Sequence, residues 1–131
     1  MLSHFRSDMT IKEVSEKYNV PSATLRYYEK EGLIPHVPRS SGGIRCYGDS
    51  DIRWLELVIC MRRAGLDIEA VREYRNLYEK GDETIKDRIS LLKREREKLK
   101  ERLSDTEKML SRLDYKISKY EEALVTGHLE W

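Results

Sequence analysis

Long apolar runs are missing from this sequence, and its first residues carry no hydrophobic signal core, so neither a membrane-spanning helix nor a secretory leader is expected. The cytoplasm is the expected compartment. Cysteine is scarce: the chain has two, Cys46 and Cys60, which in such a chain are expected as thiols, not as a structural bridge. An excess of one charge is missing as well. With 25 Lys+Arg against 24 Asp+Glu the formal charge is +1, so overall charge does not point to nucleic acid. There is no Cys/His/Asp constellation and no paired-carboxylate pattern. There is no phosphate-cradling glycine loop either, because Gly42-Gly43 lacks the strand and helix such a loop needs. His4, His36 and His128 stand singly, and no cysteine follows residue 60. No metal site, no cofactor and no enzymatic activity are therefore expected.

What the chain does have is charge of both signs. Charged residues are 37% of the total against 39% hydrophobic, which is rich for a compact core and suggests a long exposed helix. Its length leaves room for one domain and one long element. The informative asymmetry is local. From Gly32 to Gly48 there are two arginines, a histidine and no acid, a small surface free to approach an anion.

In chain order, Met1–Asp8 has no periodicity and reads as a loose leader. Thr10-Ile-Lys-Glu13 is a capping box opening a short helix that buries Ile11, Val14 and Tyr18. After the turn at Asn19-Val-Pro21, a second helix opens at Pro21 or Ser22, buries Leu25 and stops at Gly32. Thr24, Arg26, Tyr27 and Tyr28 crowd one turn of it with the groups that reach phosphate oxygens and base edges. Helix, tight turn and helix is helix-turn-helix spacing. The alternative, two core tyrosines and a solvated arginine, stays open on this pattern alone. Pro35–Arg39 reads as extended, Ser40–Gly43 as a tight turn and Ile44–Tyr47 as a second short strand. Alternation puts Ile44 and Cys46 on one face, Arg45 and Tyr47 on the other. Such a hairpin is a wing with a basic tip, or else a solvated hairpin packed on the core. Asp49 or Ser50 is expected to cap the next helix, which stops at Gly65. Asp67 caps another that buries Ile68, Val71, Tyr74, Leu77 and Tyr78.

The last segment has the clearest period. Ile85, Ile89, Leu92, Leu99, Leu103, Leu110, Leu113, Ile117, Tyr120 and Leu124 fall on alternating steps of three and four, with Arg96 and Thr106 as two polar seam positions. One helix cannot bury such a stripe, so a second copy of the chain is the simplest partner. Ile89, Leu92, Leu99, Leu103, Leu110, Leu113 and Ile117 are the expected homodimer contacts. The expected organisation is a domain over 9–80, a dimerisation helix over 82–124, and loose termini at 1–8 and 125–131.

Ala23-Thr-Leu-Arg-Tyr-Tyr-Glu29, Gly32-Leu-Ile34, Gly43-Ile-Arg with Tyr47, Asp51-Ile and Met61-Arg-Arg-Ala-Gly-Leu66 together resemble the MerR family of bacterial transcription regulators. The resemblance implies a mainly α fold: a winged helix-turn-helix DNA-binding domain joined to a long dimerisation helix in an antiparallel coiled coil. It implies a two-fold operator in double-stranded promoter DNA, which the dimer bends and untwists so that RNA polymerase is served indirectly. It also implies DNA contact by Arg26, Tyr27, Arg45 and Tyr47. Lys12, Ser22, Thr24, Tyr28 and Arg39 complete the expected contact set. Pro21 departs from the family's usual Ser or Thr cap and offers no side-chain oxygen.

Little sequence follows Leu124, so the signal is expected to act on the DNA-binding half or the coil. By helical spacing Cys60 lies beside Arg53, Glu56 and Arg63, at the edge of the apolar face. The arginines favour its thiolate and Glu56 opposes it; a small buried hydrophobe is the alternative. Leu57-Val-Ile-Cys-Met-Arg-Arg-Ala-Gly-Leu66 resembles the AdhR and NmlR branch of the family. That resemblance implies a cysteine at this position that senses aldehydes and other thiol-reactive electrophiles or oxidants. Cys46 on the wing is either a resolving thiol or without a role, and the second is expected, because nothing brings the wing within disulfide reach of Cys60. Two other readings remain: a repressor or architectural DNA-binding protein with inert cysteines, and a coiled-coil scaffold that binds protein.

Overall fold

Thr10 Oγ1 accepts the Glu13 N–H at 3.2 Å while the Glu13 carboxylate accepts the Thr10 N–H at 2.8 Å. This reciprocal cap opens α1 (Ile11–Tyr18), in a computed structural model that describes residues 8–130. The expected leader over residues 1–8 therefore lies outside the described residues, except for Asp8. Asn19 ends α1 in the left-handed region at φ 55°, which a short amide side chain tolerates. Pro21 then caps α2 (Ser22–Lys30) with no side-chain hydrogen bond. The end of α2 is better secured. Gly32, at φ 75°, donates to Glu29 O at 3.2 Å and Leu33 to Tyr28 O at 2.9 Å, the paired bonds of a Schellman stop.

Between α2 and the next helix the chain forms a minimal wing. Among the described residues two isolated antiparallel bridges tie it, Arg39 with Arg45 and Met9 with Tyr47. The expected second strand is thus not a strand: two prolines on one limb remove ladder donors and the pairing stops after one rung. Ser40–Gly43 is the turn, with Gly43 at φ 81° and its N–H on Ser40 O at 2.9 Å. Met9, just after the segment read as a leader, exchanges hydrogen bonds of 3.0 and 2.8 Å with Tyr47.

Helix α3 (Asp49–Arg63) starts one or two residues earlier than expected. Gly48 is the cap residue, and the Asp51 carboxylate reaches back to its N–H at 2.9 Å; Asp49 and Ser50 already lie inside the helix. Gly65 and Leu66 close α3 on Arg62 O and Met61 O, both at 3.0 Å. Asp67 caps α4 (Ile68–Glu79) by accepting the Ala70 N–H at 2.8 Å. The core gathers Val14, Leu25, Leu33, Ile34, Val37, Leu55, Val58 and Val71, one or two from each of these four helices and three from the segment that follows α2. Tyr78, expected in that core, is half exposed. Its ring meets Trp54 edge-on at 5.0 Å, and the Arg88 guanidinium lies 5.3 Å from its centre, so it works as a stacking post.

A single 3-10 turn, Asp82–Thr84, leads into α5 (Ile85–Thr126), 42 residues long, about 63 Å at the helical rise. Two compact units divide within it, the first ending at Leu91 and the second beginning at Leu92. Leu91 is buried in the core of the first unit, which therefore reaches past the Gly81 break seen in sequence. At the far end α5 continues through Val125 and Thr126, two residues read as loose tail. Ile89, Leu92, Leu99, Leu103, Leu110, Leu113 and Ile117 are all exposed.

Candidate nucleic-acid interface

Helix α2 carries its side chains to two different destinations. Leu25 and Tyr28, three residues apart, turn inward and are buried, so Tyr28 contributes to the core and its ring is withdrawn from the surface. Arg26 is exposed and forms no hydrogen bond or ion pair among the described residues. Tyr27 is 44% exposed. Thr24 and Ser22 are half-buried, and Lys12 on α1 is exposed. Pro21, Thr24 and Asn19 share one shallow concavity with Arg62 and Arg63 from the end of α3. The sequence places this pair within a motif and Arg63 beside Cys60, with no sign that either approaches α2. The pair's proximity to the start of α2 comes from packing, since Arg63 Nη2 reaches Tyr18 O at 3.4 Å.

The other end of α2 is tied down by its acids. The Glu29 side chain is 5% exposed and accepts from Arg45 Nε at 2.8 Å and from the Val37 N–H at 3.0 Å, with His36 Nδ1 3.1 Å away. Arg39 Nη2 stands 4.0 Å away. Burial alone would raise the Glu29 pKa, but the hydrogen bonds from Arg45 and Val37, with the charges of Arg45 and His36, outweigh it and hold the carboxyl below its usual value. From α4, Arg72 binds Glu31 O at 2.9 Å and the Glu31 carboxylate at 2.8 Å, and Arg75 binds Gly32 O at 2.9 Å. Cations on the last carbonyls of a helix also suit its dipole.

Burial along the wing does not separate the two expected faces: Ile44 is exposed, Arg45 and Cys46 are both half-buried, and Tyr47 is buried. The consequence differs from the expectation. Tyr47 is 1% exposed and its hydroxyl is buried with no hydrogen-bond partner among the described residues, so it cannot present its ring to a duplex. Desolvation pushes its pKa up. Arg45 is 19% exposed, with Nε on Glu29, and Arg39 is exposed.

Cys60 is exposed on α3. Glu56, one turn before it, accepts the Tyr18 hydroxyl at 2.8 Å, and Arg63 on its other side reaches the Tyr18 carbonyl. Cys46 is half-buried on the wing, its thiol 3.4 Å from Ile44 O. Among the described residues no group of three or more His, Cys, Asp or Glu could hold a metal ion, and no helix is long and apolar enough to cross a membrane.

A helix-turn-helix, a basic wing and a helix with an uncovered apolar stripe define the winged helix-turn-helix class of DNA-binding proteins. The family model described as MerR HTH family regulatory protein matches residues 9–77, and the one described as MerR, DNA binding matches residues 52–115. The chain belongs to the MerR family of DNA-binding transcription regulators. It is similar to the HTH-type transcriptional regulator AdhR of Bacillus subtilis, 48% identical over 87 residues that cover 66% of this chain and 62% of AdhR. Among solved structures it is similar to a MerR family transcriptional regulator from Listeria monocytogenes, with TM-score 0.79 and 44% identity over 91% of this chain and 90% of that one. A second is HiNmlR, described as a MerR family regulator lacking the sensor domain and bound to promoter DNA. Its TM-score is 0.78, with 32% identity over 92% of this chain and 95% of that one.

Proposed function

We propose that two copies of the chain pair through α5 and read a two-fold promoter site, each copy using the exposed face of α2 and its wing. Arg26 carries the reading: it is a charged, exposed side chain on the recognition helix with no hydrogen bond or ion pair among the described residues, and it stands where the family motif places a DNA contact. Tyr27, Thr24, Ser22 and Lys12 flank it, Arg39 and Arg45 serve the wing, and Arg62 and Arg63 add charge beside the start of α2. Tyr28 and Tyr47 act from within, by fixing these elements. The dimer acts by deforming the duplex, so RNA polymerase is served through the DNA. This work is done in the cytoplasm, where promoter DNA is. The test is retardation of promoter duplexes at several salt concentrations. Arg26→Ala should weaken binding to the selected site and lower the slope of log K against log salt by about 0.9 for each phosphate the variant no longer neutralises. Unchanged affinity and slope would remove Arg26 from the interface.

The response is to thiol-reactive electrophiles through Cys60. Its sulfur adds to the carbonyl carbon of an aldehyde while the oxygen takes up the proton, giving a hemithioacetal. What supports this is the exposure of Cys60 and its place between Glu56 and Arg63, both engaged with Tyr18 at the end of α1. Bulk added there bears on the joint between α1 and α3. Cys60→Ser should retain DNA binding and lose aldehyde induction; normal induction by that variant would leave a regulator with inert cysteines, the second reading.

A further inference from the structure

The carboxylate that, among the described residues, binds the wing to α2 sits where a helix least favours it. Glu29 occupies the last turn of α2, against the negative end of the helix dipole, and its side chain is 5% exposed; both facts count against an acid at that position unless it is fully paired. It is paired by a single stretch of chain. Val37 N–H and Arg45 Nε are its donors, His36 Nδ1 lies 3.1 Å away and Arg39 stands 4.0 Å off, all from the acid-free segment that forms the wing. The attachment to Arg45 is one-sided. Nε takes Glu29 Oε1, and the two terminal nitrogens of Arg45 make no hydrogen bond among the described residues. A guanidinium gripped by Nε still presents two parallel donors, the fork that fits a phosphate.

We infer that Glu29 is the positioning residue of the DNA interface: its carboxylate holds Arg45 by one edge and aims the other at a backbone phosphate, fixing the wing at a set distance from the recognition helix. The inference rests on the reading that α2 and the wing contact duplex DNA together, and it adds a sign that charge alone would not give. An acid next to a DNA-facing basic segment repels phosphate, so on electrostatics its removal strengthens binding. Here its removal weakens specific binding, because the rotamer freedom it suppresses must otherwise be given up on association.

The experiment compares the parent chain, Glu29→Gln, Arg45→Ala and the double variant. The probes are a duplex selected by the parent from a random pool and an unselected duplex of the same length, with thermal unfolding of each variant as the control on the fold. Glu29→Gln is expected to weaken binding to the selected duplex about tenfold, the size of one loosened charge-assisted contact, and to bind the unselected duplex as well as the parent or better. In the Arg45→Ala background it should change nothing further. Arg45→Lys, which keeps the charge but lacks the fork, should show a similar loss with unchanged unfolding, and carries the test if Glu29→Gln does not fold. Binding by Glu29→Gln equal to or tighter than the parent overturns the inference. So does a loss of the same size in the Arg45→Ala background, or full affinity in Arg45→Lys. If the parent selects no duplex at all, the DNA reading itself falls and takes this inference with it.

Discussion

Tyr47 and Arg45 stand two residues apart on the same side of the wing, yet their environments assign them opposite work. Arg45 keeps its terminal nitrogens available, while Tyr47 is sealed in with an unpartnered hydroxyl. Removing a buried, unsatisfied hydroxyl is neutral or favourable. Tyr47→Phe should therefore unfold at the same temperature as the parent or stabilise the chain by about 1 kcal/mol, with DNA affinity unchanged. A selective loss of affinity would instead make the hydroxyl a direct contact. Tyr18 shows the reverse case of a satisfied hydroxyl. Desolvation first, then its hydrogen bond to the Glu56 carboxylate, push its pKa up to about 12. The folded chain thus holds this proton more tightly than the unfolded chain. The resulting stability is fully present below the tyrosine's ordinary value near 10 and is lost as pH rises toward 12. Thermal unfolding followed from pH 9 to 12 should show that decline, and Tyr18→Phe should flatten it.

At the scale of elements, the stop signals decide where side chains point. A Cβ at Gly32 would meet nothing within 4 Å, yet φ is 75°. Gly32→Ala should then cost about 1–2 kcal/mol through backbone conformation alone, read as a lower unfolding midpoint with no new clash; full stability would mean the end of α2 relaxes. The helices were legible because caps and glycines are local signals. Thr10 with Glu13, Asp67, Gly32 and Gly65 mark boundaries within a few residues of themselves. The cap of α3 lies one or two residues before the expected Asp49 or Ser50 because the Asp51 side chain, not either of theirs, satisfies the terminal N–H of Gly48. The wing was legible as a turn but not as bridges. Which of its side chains met solvent was not legible, since for Arg45 that depends on Glu29, 16 residues earlier. The same is true of the candidate site: the exposure of Arg26 could be read from its helical neighbours, whereas the burial of Tyr28 and Tyr47 and the approach of Arg62 and Arg63 to α2 arise from helices packing at long range.

For the whole molecule, near-zero net charge hides a strong internal division of labour. Cations gather on the wing and at the ends of α2 and α3, and the apolar stripe of α5 lies open from Ile89 to Leu124. An exposed row of leucine and isoleucine at heptad spacing is stable in water only when covered, each side chain contributing about 1.5 kcal/mol or more when fully buried. Two-fold pairing through that row is also what a two-fold operator requires. The mass of the complex between the chain and its selected duplex, measured by sedimentation at micromolar protein, tests this joint requirement most directly. Two chains per duplex are expected, with Leu103→Glu and Leu110→Glu together giving a monomer that no longer retains the duplex. One chain per duplex, or a parent that sediments as a monomer and binds undiminished, would contradict it.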